Sequence, residues 1–298
     1  MCIADPSPSG WCLGAPEPVG PPETLFARLR SRAAGAPIAF GIDCPLGLPR
    51  AYAASRPEPD FPAFLRGLAE TPDFFRVAAT LDAVSLRAPF YPARGLRGMT
   101  RLAHAQALGL AAARDLCRAC DQATAERPAG APVFWTLGAN QSGKAAIAAW
   151  RDLLLPAWHT PAPPRLWPFE GPFRALLSSG VIAIAETYPA EAMRQLAIKP
   201  AGSKRRQSDR AAYAPFILAA MNTCSTSASP ALRSALQDGF GGTADGEDRF
   251  DSVLGVLCVI GVLAGLRTDA APADPAILRW EGWVLGQTAL PRINLAEA

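Results

Sequence analysis

The stretch PIAFGIDCPLGLP, residues 37–49, sets the fold class because it joins an apolar run to an acid and a Pro/Gly turn. An apolar run without polar alternation is typical of a strand that is buried on both faces, as in parallel sheets. The stretch GVIAIAETYP, residues 180–189, repeats the pattern and ends in Glu186 where the first ends in Asp43. Together with helix-like segments around them, these strands predict an α/β fold.

Composition and the pattern of the remaining chain predict one domain that spans residues 1–298. Half of the residues are apolar and 18% are charged, which is typical of a globular protein. Residues 56–175 show weak periodicity and read as an insertion of helices and loops. Within it we expect a long helix over residues 100–123 and a strand in PVFWTL, residues 132–137. The N-terminal MCIAD predicts the first strand of a β-hairpin.

Neither the ends nor the apolar runs of the chain indicate a membrane or an export signal. The longest apolar run, residues 252–266, is shorter than the about 20 residues that a spanning helix needs, so it predicts a buried core helix. The first residues do not combine a basic segment with an apolar one. We therefore expect a cytoplasmic protein that does not bind membranes.

The counts of histidine and cysteine limit the kind of metal site. Two histidines exclude a His-rich centre, and the single C-x-x-C motif, Cys117 to Cys120, has no second pair to complete a zinc site. Any metal site must then use carboxylates, which favour Mg²⁺ or Mn²⁺.

Acids stand at the ends of the predicted strands and at the start of the most apolar helix. Asp5, Asp43 and Glu186 close apolar runs, and the carboxyl ends of such strands form the edge where open α/β sheets place their active sites. Asp248 and Asp251 are three residues apart at a helix start. Taken singly, each acid also fits a turn or a helix cap. Taken together, they would repel one another unless a cation lay among them.

The segments GIDCPLGLP, AETYPAE and EDRFDSVLGVL, in this order, resemble the marks of a family of uncharacterised proteins that are predicted to be nucleases. The resemblance spans residues 1 to about 267 and includes Gly10-Trp11 after Asp5 and Pro189 after Glu186. It implies a ribonuclease H-like (RuvC-like) mixed sheet flanked by helices. It also implies a divalent-metal nuclease, with Mg²⁺ or Mn²⁺ as cofactor and nucleic acid, DNA or RNA, as partner. The implied metal ligands and catalytic residues are Asp5, Asp43, Glu186 and Asp251, with Asp248 as a possible additional ligand.

The segment GANQSGK, Gly138–Lys144, has the spacing of a phosphate-binding P-loop, but Ala145 stands where that loop needs a hydroxyl for Mg²⁺. One interpretation is a nucleotide-binding ATPase or kinase. A second is a rim that contacts the phosphates of a nucleic acid. A third is an ordinary helix start capped by Ser142. The second makes Asn140, Gln141, Ser142 and Lys144 substrate-binding residues.

The basic segment SKRRQSDR, residues 203–210, follows the second strand and adds candidate phosphate contacts, chiefly Lys204 and Arg206, with Arg205 and Arg210 beside them. The alternative is a solvated loop that leads into a helix. A catalytically inactive scaffold that binds a partner is a further alternative to both enzymes.

Overall fold

The computed structural model describes residues 1–95, 98–138, 141–199 and 202–292. Within these ranges the strands form two three-stranded sheets, ordered β1-β2-β6 and β3-β5-β4. The strands are β1 Ala4–Ser7, β2 Gly10–Leu13, β3 Ile38–Ile42, β4 Arg165–Leu166, β5 Ile182–Glu186 and β6 Thr226–Ala228. Helices surround both sheets, so the predicted α/β class is confirmed.

The helices are mostly short and lie between and after the strands. In chain order they are α1 Pro22–Ala33, α2 Arg50–Ala53, α3 Phe61–Gly67, α4 Arg101–Ala107, α5 Ser142–Ile147, α6 Leu155–Trp158, α7 Phe173–Leu176, α8 Pro189–Gln195, α9 Gln207–Ala212, α10 Ala214–Thr223, α11 Pro230–Gln237 and α12 Gly246–Leu263. A π-helical stretch, Ala148–Leu154, joins α5 to α6. None of the helices in the described ranges is long and apolar enough to cross a membrane.

The sheet β3-β5-β4 has the buried, parallel character that its apolar strands predict. β5 lies between β3 and β4 and pairs with both in parallel, with Ile42 opposite Glu186 in the register. The side chains of β5 are buried along its whole length. On one face α12 packs so closely that a Cβ at Gly41 would stand 2.9 Å from the Val259 side chain. The apolar run of residues 252–266 is therefore a core helix, as predicted.

The N-terminal hairpin forms, but it belongs to the other sheet. β1 pairs antiparallel with β2, and β2 pairs in parallel with β6. The described residues show no ladder between β1 and β3. The strand that carries Asp5 therefore does not extend the sheet that carries Asp43 and Glu186.

The region 56–175 consists of short helices and turns, but two of its expected elements are wrong. The helix expected over residues 100–123 ends at Ala107, and the chain turns at Gly109, which has a φ of 74°. It continues in 3₁₀ turns, Ala113–Leu116 and Ala119–Asp121. The strand expected over residues 132–137 is reduced to a single bridge between Tyr91 and Trp135.

Aromatic side chains of this region pack into the same core as the sheet. Phe61 contacts Trp150 edge to face at 5.4 Å between ring centroids, and Phe90 contacts Phe134 in the same way. These residues belong to one apolar cluster with Ile182 and Ile184 of β5. The region is therefore packed against the sheet, which fixes the position of its polar residues relative to the strand ends.

Candidate active site

A cleft of about 500 Å³ opens at the carboxyl ends of β3 and β5. Its charged and polar lining comes from both strand ends, from the 3₁₀ turn near residue 120, from the start of α5, from the basic loop before α9 and from α12. The acids are Asp43, Asp121, Glu186, Glu247 and Asp251; the cations are Arg118, Arg127, Lys204 and Arg205; Gln141 and Ser142 add polar groups. Three of the acids predicted from sequence, Asp43, Glu186 and Asp251, thus share one cavity.

The parallel register brings Asp43 and Glu186 together. Glu186 ends β5 opposite Ile42, so Asp43 follows at the same edge, and the Thr187 N–H donates to the Ile42 carbonyl at 2.8 Å. The turn after Asp43 folds back over this edge. Its Leu46 N–H donates to Glu186 Oε2 at 2.8 Å, and Trp150 Nε1 donates to the Pro45 carbonyl at 2.8 Å. Glu186 therefore fixes the turn that carries Asp43.

The first carboxylate group of the cleft is built around Arg118; we call Arg118, Asp121 and Glu186 the Arg118 cluster. The buried guanidinium donates to Glu186 Oε2 at 2.6 Å and to Oε1 at 2.7 Å. It also donates from Nε and from its second terminal nitrogen to the two oxygens of Asp121, at 2.9 and 2.8 Å. Burial raises the pKa of Glu186, and the charge and hydrogen bonds of Arg118 oppose that shift. Each oxygen of the two carboxylates thus already accepts a hydrogen bond from Arg118.

The second group lies across the cleft; we call Asp43, Glu247, Asp251 and Lys204 the Asp43 cluster. Lys204 Nζ lies 2.5 Å from Asp251 Oδ2 and 3.5 Å from Glu247 Oε1. The other oxygen of Asp251, Oδ1, is buried and has no hydrogen-bond partner within the described chain. Asp43 likewise has neither a hydrogen bond nor a salt bridge to the described residues. The ammonium group of Lys204 therefore pairs with two of the three carboxylates, and Asp43 has no paired cation among the described residues.

The pKa values of this cluster are raised by the removal of water from its acids and then by their mutual charge. Asp43 keeps contact with solvent on the open side of the cleft, while the protein crowds its carboxyl group on the other sides. Removal of water by that crowding, followed by the charge of Asp251, raises the pKa of Asp43 to about 7. Burial raises the pKa of Asp251 to about 6 against the opposing effect of Lys204. A further cation nearby would stabilise the ionised form of both acids.

Two predicted ligands lie outside the cleft. Asp5 is half-exposed and pairs with Arg32 in the last turn of α1, at 2.6 Å. β1 pairs with β2 in the other sheet, and Asp5 is not among the residues that line the cleft. Asp248 is exposed and does not line the cleft, whereas Glu247, four positions before Asp251, does.

The predicted substrate contacts divide in the same way. Gln141 and Ser142 line the cleft, whereas Lys144 is exposed outside it. Lys204 lines the cleft, whereas Arg206 points to solvent with 76% of its side chain exposed. Asn140 lies outside the described residues. The P-loop-like segment therefore meets the cleft through its polar residues and not through its lysine.

A search of the described residues for three ligand atoms within 4.8 Å of one another gives one group, Cys120, Asp121 and Glu186. Burial and the nearby acids keep the pKa of the Cys120 thiol well above its ordinary value, so a thiolate ligand is disfavoured there. Arg118 also occupies the space between the two carboxylates. This group does not fit a metal ion. Neither the predicted acids Asp43, Glu186 and Asp251 nor the three acids of the Asp43 cluster form such a group in the described residues.

Several residues of the cleft have no counterpart in the sequence-based prediction. Arg118 and Asp121 stand in the segment that was expected to be helical, and the motif R-x-x-D was their only local signal. Glu247 could have been predicted from the sequence, because an acid four residues before Asp251 lies on the same helix face.

Comparison with known proteins adds no assignment. No family model, curated protein or solved structure matches the chain. The geometry of the cleft is therefore the basis for a functional proposal.

Proposed function

We propose that the protein is a hydrolase of nucleic-acid phosphodiester bonds that depends on Mg²⁺ or Mn²⁺ and is built on a ribonuclease H-like core. The observation that carries the proposal is the meeting of Asp43 and Asp251 in one cleft that is also lined by basic side chains. A parallel pair of strands with an acid at each carboxyl end, β3 and β5, supports such a core. The separate sheet that holds β1 is a departure from it.

The Asp43 cluster offers the kind of donor that a hard divalent cation binds. Its donors are carboxylate oxygens, which Mg²⁺ and Mn²⁺ prefer. Asp251 offers a buried oxygen without a partner, and Asp43 offers a carboxylate without one among the described residues. Glu247 lines the same cleft. We assign Asp43 and Asp251 as the principal ligands, with Glu247 beside them.

Glu186 takes a different role from the one that the resemblance implies. Both of its oxygens already accept hydrogen bonds from Arg118, and one also holds the Leu46 N–H. Releasing it would leave the buried Arg118 with a single carboxylate partner, which is costly. We assign Glu186 as a positioning residue that holds the turn after Asp43.

A bound divalent cation would supply an activated water and would neutralise charge on the phosphate oxygens. The chain's own groups bind and orient the substrate. Lys204 and Arg205 line the cleft and can pair with phosphate oxygens, and Gln141 and Ser142 offer uncharged donors. Arg127 and Arg118 also line the cleft, but they are paired with Glu191 and with the acids of the Arg118 cluster. These contacts would recognise the phosphate backbone of a nucleic acid and would not distinguish its base sequence.

The test is a cleavage assay of the purified full chain on labelled single-stranded, double-stranded and hybrid oligonucleotides, with Mg²⁺, Mn²⁺ or EDTA. We expect cleavage that needs the divalent cation and falls at least about 100-fold in Asp43→Asn and in Asp251→Asn. Asp5→Asn is the matched control, because it removes a carboxylate outside the cleft, and it should keep the activity within about twofold.

Two results would contradict the proposal. One is cleavage that survives the double variant Asp43→Asn/Asp251→Asn. The other is no cleavage of any substrate by a folded wild-type protein with either metal, which would favour the inactive scaffold. Retention of labelled ATP that is lost in Lys144→Ala would instead support the nucleotide-binding alternative.

A further inference from the structure

We infer that Lys204 is the resident counter-ion of the Asp43 cluster and that its ammonium group competes with a divalent cation for Asp251. The inference rests on the proposed function, because it concerns the same carboxylates. It adds that Lys204 lowers the affinity of Asp251 for metal, and that a bound metal loosens the Lys204 ion pair so that the ammonium group can donate to a phosphate.

The contacts of Lys204 place it in the position of a bound cation. Its Nζ is 2.5 Å from Asp251 Oδ2 and 3.5 Å from Glu247 Oε1, so it bridges two acids on one face of α12. The charge of Asp43 also acts on it. Asp251 has only 13% of its side chain exposed, and Lys204 has 34%. Pairs with this degree of burial are screened less by salt than surface pairs.

The backbone around Lys204 is fixed, so the pair is not a chance contact of a flexible side chain. Arg210, which is buried, donates to the Lys204 carbonyl at 2.7 Å and to the Gly239 and Gly241 carbonyls at 2.8 and 2.7 Å. Asp209 accepts from the Ser203 N–H at 2.8 Å. The basic loop is thereby tied to the chain that leads into α12, the helix that carries Asp251.

A divalent cation on Asp251 Oδ1 and the ammonium group of Lys204 on Oδ2 would repel each other across the same carboxylate. The two cations therefore compete for the charge of Asp251. Because hydrogen bonds hold the loop backbone, the Lys204 side chain is the part that adjusts. Its ammonium group lines the cleft beside Arg205, where it can donate a hydrogen bond to a phosphate of the substrate. Lys204 thus lowers the affinity for metal and, once metal is bound, raises the affinity for substrate.

The test is Mn²⁺ binding measured by isothermal titration calorimetry, without substrate, for the wild type and three variants. Lys204→Met removes the competing charge and should tighten Mn²⁺ binding about tenfold. Lys204→Arg keeps the charge and should bind like the wild type. Arg206→Met is the matched control, since it removes a cation of the same loop that is exposed to solvent and does not line the cleft; it should change the affinity less than about threefold.

The outcomes separate this inference from the proposed function. If the wild type binds Mn²⁺ and Lys204→Met binds it equally or more weakly, Lys204 does not compete with the metal, and the proposed metal site stands. If neither protein binds Mn²⁺, both fail. Thermal unfolding checks that Lys204→Met is folded, and Lys204→Gln replaces it in the comparison if it is not.

Discussion

The cleft contains two carboxylate groups that lie close together and differ in how their charge is balanced. In the Arg118 cluster, one buried guanidinium meets two carboxylates with four hydrogen bonds between 2.6 and 2.9 Å. In the Asp43 cluster, one lysine pairs with two of three carboxylates, and neither Asp43 nor Asp251 Oδ1 has a partner among the described residues. Every carboxylate oxygen of the Arg118 cluster has a hydrogen-bond donor. In the Asp43 cluster, a further cation would supply the partner that Asp43 and Asp251 Oδ1 do not have among the described residues.

The difference separates structural acids from available ones. A carboxylate that is saturated by a buried arginine stabilises the fold only as long as both partners are present. A carboxylate without a partner raises the pKa of its neighbours and can bind a ligand. By this criterion Glu186 stabilises the fold, and Asp43 and Asp251 are available to bind a ligand.

The largest expected effect is on the Arg118 cluster. Arg118→Met should lower the free energy of unfolding by about 3–5 kcal/mol, because it leaves two carboxylates buried without their cation. Urea denaturation with circular dichroism measures it. Arg205→Met, which removes a solvent-exposed cation of the same cleft, should stay within about 0.5 kcal/mol. Equal losses in both variants would show that the Arg118 cluster does not depend on its buried cation.

A second prediction concerns metal and the Asp43 cluster. Mn²⁺ at about 100 times its Kd should raise the free energy of unfolding by about 2.7 kcal/mol, because it binds the folded state only. In Asp43→Asn the gain should vanish, whereas Glu186→Gln should keep it. Thermal unfolding with a Mn²⁺ series measures both. A gain that is lost in Glu186→Gln and kept in Asp43→Asn would reverse the two roles.

A third, smaller effect is a pH dependence in EDTA. Asp43 and Asp251 have folded-state pKa values raised to about 7 and about 6, so the folded protein holds protons that the unfolded chain releases. These groups therefore make stability fall as pH rises from about 4 to 7. Asp43→Asn should flatten that slope in a series of melting temperatures. A slope that is equal in Asp43→Asn and the wild type would contradict the crowding of charge around Asp43.

The smallest effect is expected at Asp5. Its salt bridge with Arg32 is about half-exposed on both sides, so Asp5→Asn should cost less than about 1 kcal/mol of stability. Its Mn²⁺ affinity should equal that of the wild type. A loss of metal binding in this variant would restore the four-acid site that the sequence resemblance implies.

The contrast between the two clusters also explains what the sequence could and could not predict. Asp43 and Glu186 were predictable, because apolar runs identify parallel strands and their carboxyl ends meet at one edge. Asp5 was not, because a short strand does not reveal its partner, and β1 pairs within the other sheet. Arg118 was hidden in a helix-like segment, since its partner Glu186 is 68 positions away and no local pattern records such a pair. For α12, the acids were visible, but packing decides whether Glu247 or Asp248 faces the cleft.

The most direct test of the central claim is a crystal soaked in Mn²⁺ and measured at a wavelength that gives an anomalous signal from manganese. We predict a peak that Asp43 and Asp251 ligate at about 2.0–2.6 Å, with Arg118 still paired to Glu186. A peak between Asp121 and Glu186 in place of Arg118 would contradict the claim, and so would a fully soaked crystal without a peak at the Asp43 cluster.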